Sequence, residues 1–408
     1  MFSIGRFKLV LCTSMRTVLA VFGVFHHFEL GRELALRGHL ERIYSTFPRR
    51  RLRREPVDLA LVETFPWIHT PLTVLGRYGM LPRWLDDEAG YLNALAFDEW
   101  TARRIPACDA FVGIAGAGLK TGRLVQQRGG VYICDRGSSH ARYQDRIVTE
   151  EYRRWGVDLR PNDERDTLRE ERQYELADAI TVPSSFAART FVEMGLPAEK
   201  VHTIPYGVRL ERFSPTGEAP LDRFEVLFVG SVGLRKGVPY LLDAFARLRH
   251  PAKRLRIVGA VHEDIKAVLR TLPQEHVEFA GILDQAGVRD AMSTSHVLVL
   301  PSIEEGLALV QGQALACGCP VLASTNTGAE DLFADGVEGF IVPIRDAGAL
   351  ADRLQQLADD PLLQQRMRTA ALARVRHLGG WSNYGDQWEM LLQRLTSLRC
   401  QNAAPASA

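Results

Sequence analysis

RTVLAVFGVFHHFELGRELALRGHLERIY, residues 16–44, decides the fold. Arg16 to Phe25 is apolar and β-branched with no polar alternation, the pattern of a strand buried on both faces of a parallel sheet. Phe28 to Gly38 has helical character and stops at a glycine, after which Leu40 to Tyr44 resumes as a strand. The three pieces read as a βαβ unit. Further strand-like runs fall at Leu59 to Val62, Ala110 to Ile114, Gly130 to Cys134 and Ala179 to Val182. After VHTIPYG (201–207), the stretch to Asp222 carries Pro215, Gly217 and Pro220 and reads as a linker. A second series follows at Val226 to Val229, Leu255 to Val258, Val277 to Phe279, Val297 to Leu300, Val321 to Ala323 and Phe340 to Val342. The helix after its first strand places Leu241, Leu242, Phe245 and Leu248 on one stripe.

The expected architecture is therefore α/β, with two Rossmann-like doubly wound halves facing a cleft at the carboxyl ends of their strands. The boundaries expected are an N-terminal domain 1–208, a linker 209–222, a C-terminal domain 223–376, a helical segment 377–400 and a frayed tail 401–408.

Composition agrees with this. The 408 residues exceed what one core usually holds. At 46% hydrophobic and 24% charged the chain is an ordinary globular protein, and a net charge of +1 supplies no global field for nucleic acid. The six cysteines are scattered, and the Cys317–Cys319 spacing suits neither zinc nor a disulfide frame, so reduced thiols in a cytoplasm are expected. Arg6 and Lys8 precede Leu9 to Leu11, but Arg16 splits the apolar runs, so neither a signal peptide nor a membrane span is read. Met15 offers an alternative start.

The segment PSIEEGLALVQGQALACGCP (301–320) carries the chemistry. It follows an apolar strand and opens into a helix near Leu309, which sets the acid Glu305 and the permissive Gly306 beside free helix amides. That arrangement suits a diphosphate bearing a polyol, although Glu304 and Glu305 also simply favour a helix start. Gln313 lies about two turns further on. In VLFVGSVGLRKG (226–237), Arg235 and Lys236 stand ready to neutralise phosphate oxygens at the end of a buried strand.

Taken with VHTIPYGVRLERFSP (201–215) and TGAEDLFADGVEGFIVP (327–343), these segments resemble glycosyltransferase family 4, the retaining enzymes of GT-B fold. The resemblance implies transfer of a hexose from a UDP- or GDP-linked sugar to a glycan or glycolipid acceptor in surface polysaccharide or cell-envelope synthesis, with a C-terminal helix returning to the first domain. The family's paired-acid motif falls on Glu305 and Gln313, so that Glu305 is expected near the donor sugar. Lys236 matches the donor-diphosphate lysine, the amides of Ala308 and Leu309 would meet the same phosphates, and Gly23 matches the first-strand glycine loop. His140 is the candidate histidine near the reacting sugar. The chain departs from the family at Gln313, where an acid is usual, and at Ser231, where an arginine is usual and whose charge Arg235 could supply. Phosphate neutralised by Lys236, Arg235 and helix amides calls for no metal or cofactor.

Arg49, Arg50, Arg51, Arg53 and Arg54, followed by aromatic residues between Phe65 and Trp84, suit contact with an anionic membrane surface on the inner face, or else a solvated loop or acceptor-phosphate site. Two rival functions are a nucleotide-sugar epimerase of the same architecture and a non-catalytic scaffold, the latter motivated by Gln313 and Ser231.

Overall fold

The structure, a computed structural model, describes residues 14–77, 83–159, 162–209 and 212–403. The N-terminal features around Arg6, Lys8, Leu9 to Leu11 and Cys12, the side chain of Trp84 and the last five residues of the tail lie outside the described residues.

Two parallel sheets form. The first comprises β1 (Thr17–Val21), β2 (Leu40–Ser45), β3 (Val62–Thr64), β4 (Ala110–Ile114), β5 (Val131–Asp135), β6 (Ala179–Val182) and β7 (Val201–Thr203), in the order β3-β2-β1-β4-β5-β6-β7. The second comprises β8 (Phe224–Val229), β9 (Lys253–Val258), β10 (Val277–Gly281), β11 (Val297–Leu300), β12 (Val321–Ser324) and β13 (Gly339–Val342), in the order β10-β9-β8-β11-β12-β13. In both the order reverses beside the first strand, the doubly wound pattern whose switch point receives ligands. In the second sheet that point lies between β8 and β11, where Val297 stands opposite Val226. β8, β11 and β12 are almost wholly buried, which is why their sequences lack alternation.

Two of the runs read as strands differ from expectation. Leu59 to Leu61 is a 3-10 turn, because the Asp58 carboxylate accepts from the Ala60 amide at 2.9 Å and holds the chain tight until β3 starts at Val62. The apolar run from Arg16 gives a strand only to Val21: Gly23 has φ +71° and Phe25 φ +41°, and both values break the extended backbone.

By compactness the chain divides into two units, residues 1–134 with 176–178 and 388–408, and residues 135–175 with 179–387. In the first unit the C-terminal part of the last helix (Trp381–Ala403) returns to the N-terminal strands. Its Glu389 meets His39 Nε2 at 2.9 Å and Arg37 Nε at 3.4 Å, and its Trp388 is buried. That helix runs past Cys400 to Ala403, so the first residues of the expected tail are helical. In the second unit the helix Ala141–Arg154 packs beside the C-terminal sheet. There the fully buried Glu151 accepts from Trp155 Nε1 and Tyr240 Oη, each at 2.8 Å, and from Arg345 Nε at 2.7 Å.

Among the described residues no helix is long and apolar enough to cross a membrane, and the five described cysteines are free. Arg49 to Leu52 forms one helical turn anchored by buried Leu52. Arg51 lies over the Phe47 ring at 3.7 Å, and all five arginines of the cluster are exposed.

Candidate active site

The site is built from two loops at the switch point. After β8 the chain passes Gly230 and Ser231 into a 3-10 turn, Leu234–Lys236, and then through Gly237 into the helix Val238–Arg247. Gly237 has φ +65°, and a Cβ there would overlap the carbonyl oxygen of Pro301, so glycine is required for this turn to touch the loop after β11. The loops are then sewn together: Ile303 N donates to Arg235 O at 2.9 Å, Glu305 N to Asn326 O at 2.9 Å, and Asn326 Nδ2 to Ile303 O at 3.0 Å. The helix Leu309–Ala316 starts without a side-chain cap, and the Ala308 amide donates to Thr327 O at 3.4 Å. The Gln311 amide closes back on Ala308 O at 3.1 Å, so the amides of Leu309 and Val310 stand at the positive end of the helix, a few residues after Glu305.

Charge is concentrated here. Lys236 Nζ pairs with Glu305 Oε2, with 12% and 19% of the two side chains exposed. Burial holds the Lys236 ammonium below its ordinary pKa, and Glu305 works in the opposite direction. Arg235 Nη1 donates to the Glu304 carbonyl oxygen at 2.8 Å and lies 3.4 Å from Glu304 Oε2 and 3.7 Å from Glu305 Oε2, with 35% of its side chain open. Lys236, Arg235 and Glu305 are thus brought together.

Glu304 is the residue that sequence reasoning missed. Its side chain is fully buried. Oε1 accepts from Ser138 Oγ at 2.6 Å, Ser139 Oγ at 2.8 Å and Ser139 N at 3.4 Å, and Oε2 accepts from Gln144 Nε2 at 2.7 Å. Burial alone would raise its pKa, but Arg235 and the hydrogen bonds from Ser138, Gln144 and Ser139 outweigh it and hold the carboxyl below the usual range. The adjacent Gly306 lies against Gly137 and Ser138: a Cβ on it would stand 2.6 Å from Ser138 Cα and overlap the Gly137 carbonyl oxygen. Its own carbonyl accepts from Ser184 Oγ. A doubled acid after PSI and a doubled serine before His140 are the only traces of this network in the sequence, and neither says that the two meet.

The remaining candidates are placed as follows. His140 is 2% exposed and caps the helix Ala141–Arg154 through Nδ1, which accepts from the Arg142 amide at 3.2 Å, while its ring packs against Tyr174 and Phe191. Burial lowers its pKa to about 4, with Glu171 acting against the shift. Ser231 is half-buried in the loop that follows β8, just past the bend at Gly230, and Gln313 is half-buried on the second turn of Leu309–Ala316. Gly23 lies in the first unit at the end of β1, where its amide donates to Thr46 Oγ1 at 2.9 Å. In the TGAED segment Asp331 accepts from Ser185 N at 2.7 Å and from Ser185 Oγ at 2.6 Å.

Two Rossmann-like parallel sheets with the charged loops at the second switch point define a GT-B fold. Residues 211–374 match the model of the group 1 glycosyl transferases, and residues 137–212 match that of glycosyltransferase family 4. The chain belongs to this family of glycosyltransferases.

Among characterised relatives it is 31% identical over 249 residues to a D-inositol 3-phosphate glycosyltransferase of Kribbella flavida, covering 55% of this chain and 57% of that protein. It is 27% identical over 242 residues to a GDP-mannose-dependent monoacylated phosphatidylinositol monomannoside mannosyltransferase of Corynebacterium glutamicum, covering 54% and 61%. The chain thus spans little more than half the length of the curated relatives it matches. In fold it is similar to sucrose-phosphate synthase of Thermosynechococcus elongatus, with TM-score 0.69, 21% identity, and 94% and 100% of the two chains covered. It is also similar to Anabaena HepE in complex with UDP, with TM-score 0.65, 15% identity, and 93% and 100% covered.

Proposed function

We propose that the protein transfers a hexose from a UDP- or GDP-linked sugar to a glycan or lipid-linked acceptor, with retention of configuration, in the assembly of surface polysaccharide or envelope glycolipid. The observation that carries this reading is the largely buried Lys236 beside Arg235 and Glu305, on the stretch of chain that leads into the uncapped start of Leu309–Ala316. Two cations and a helix pole suit a diphosphate, and a carboxylate among them suits the hydroxyls of the attached sugar. Of the relatives named above, the mannosyltransferase is named for GDP-mannose and a phosphatidylinositol glycolipid, which supports a nucleotide-linked donor and a lipid-linked acceptor, while the other is named for an inositol phosphate.

In this reading the anomeric carbon breaks its bond to the diphosphate oxygen and forms one to the acceptor oxygen on the same face, and the acceptor proton passes to the departing phosphate. Lys236, Arg235 and the helix amides hold the negative charge that grows on the leaving group. His140 contributes as a neutral imidazole, given its lowered pKa. The exposed arginines at 49, 50, 51, 53 and 54 would place the acceptor side of the protein against an anionic lipid surface.

Calorimetric titration with UDP, GDP and ADP tests the reading. Selective binding of one nucleotide, lost in Lys236→Ala, together with donor turnover that disappears in Glu305→Ala, supports the transferase. Absence of binding to all three supports a scaffold on the same fold, and the departures at Gln313 and Ser231 would then mark the loss of the donor site.

A further inference from the structure

The mechanism proposed above uses Glu305 and leaves its neighbour unexplained. A carboxylate taken wholly out of water is strongly disfavoured unless it is paired and hydrogen-bonded, and Glu304 is satisfied by partners from two distant stretches of sequence. One is Arg235, from the turn after β8. The others are Ser138, Ser139 and Gln144, which lie more than 150 residues earlier and surround the start of the helix Ala141–Arg154. A residue that only favoured a helix N-terminus would be solvated, and Glu304 also lies five positions before Leu309, outside the first turn of the helix it precedes.

We infer that Glu304 is a positioning residue with two linked tasks: it aims the Arg235 guanidinium at the donor diphosphate, and it clamps the Gly137–Ser139 loop onto Gly306 beside Glu305. The inference rests on the transferase reading for the identity of the anion. Arg235 is a long, flexible side chain, and its fork can present itself to a ligand in one direction only when it is held. The carbonyl and Oε2 of Glu304 hold one side of that fork and leave the open third of the side chain for a ligand. The same carboxylate, through three hydrogen bonds from Ser138 and Ser139 and one from Gln144, fixes the serine loop against the turn that carries Glu305 and Gly306.

The geometry supplies a swap as a test. Glu304 Oε2 and Gln144 Nε2 are 2.7 Å apart. Glu304→Gln sets an amide donor against the Arg235 and Gln144 donors, whereas the double variant Glu304→Gln with Gln144→Glu restores one carboxylate to the same cluster. Nucleotide affinity, read with the preferred nucleoside diphosphate and with inorganic pyrophosphate, is expected to fall about tenfold or more in the single variant, the scale of a charged hydrogen bond, and to recover most of the way in the double one. Amide hydrogen exchange at residues 137–140 is expected to speed up at least about tenfold in the single variant and to return towards wild type in the double variant.

Affinity equal to or tighter than wild type in Glu304→Gln would show that Glu304 merely offsets the charge of Arg235, and would overturn the aiming role. Unchanged exchange would overturn the clamp. Exchange is read without nucleotide, so if the wild-type protein binds neither UDP, GDP, ADP nor pyrophosphate, the transferase reading and the aiming role fail together while the clamp is still decided. If Glu304→Gln fails to fold, Ser138→Ala with Ser139→Ala removes the clamp from the other side: faster exchange at residues 137–140 supports it, and unchanged exchange overturns it.

Discussion

Gly306→Ala inserts one methyl group where two loops meet. A Cβ at this position would stand 2.6 Å from Ser138 Cα, against about 3.5–4.0 Å for carbon atoms in normal contact, so the serine loop must retreat by about 1 Å. That shift acts directly on the bonds of 2.6 and 2.8 Å from Ser138 and Ser139 to Glu304. Overpacking costs about 1–3 kcal/mol, and each weakened bond to the buried carboxylate costs about 1.5 kcal/mol at the lower end. A total of about 3 kcal/mol is reasonable after partial relaxation, equivalent to a fall in melting temperature of about 6–12 °C for a unit of this size. Thermal melting by circular dichroism, with nucleotide titration on the same samples, measures both effects. A variant that melts within 1–2 °C of wild type, the scale of about 0.5 kcal/mol, and binds nucleotide normally would refute the reasoning, because it would mean that the two loops do not meet as described.

Three further outcomes are expected. Glu151→Ala leaves Arg345, Tyr240 and Trp155 facing a buried void and should lower stability by about 3–5 kcal/mol in urea unfolding, whereas Glu193→Ala, which breaks the exposed Arg146 pair, should cost less than about 1 kcal/mol. His140 stays neutral in the folded protein down to about pH 4 but charges in the unfolded chain near its ordinary value of about 6.5, so the unfolded state binds the extra proton and stability falls as pH drops through that window. His140→Asn keeps an acceptor at the helix start and should flatten this slope in pH-dependent melting; an unaltered slope would count against His140 as its source. Sedimentation with anionic liposomes should decrease when Arg50, Arg53 and Arg54 become glutamine, and equal pelleting of the variant would remove the lipid contact.

Much of the fold was legible because the strands of a parallel sheet are buried on both faces. Ala110–Ile114, Ala179–Val182 and Val297–Leu300 announce themselves as short apolar runs and form strands over those same residues. The failures occur where local chemistry overrides hydrophobicity, as at Asp58 before Leu59–Leu61 and at the positive φ values after Val21. In the site, Lys236 and Glu305 were legible from residue type and position before a helix. Glu304 was not, since its meaning depends on Ser138, Ser139 and Gln144, and no local pattern records a contact spanning more than 150 residues. Glu151 was hidden for the same reason: on its own helix it reads as one more acid in TEEYRR, and its burial is set by Tyr240 and Arg345.

The pairing of His39 and Arg37 with Glu389 has a bearing on synthesis. During translation the opening βαβ unit leaves the ribosome some 350 residues before its carboxylate partner, and Trp388 arrives equally late. The first unit therefore spends nearly the whole elongation period with a face that has nothing to cover it. Closure of so long a loop adds little to the equilibrium cost, since that cost grows only with the logarithm of length. It makes the contact order high, and it leaves an apolar seam open during the interval in which a chaperone, or another nascent chain, competes for it.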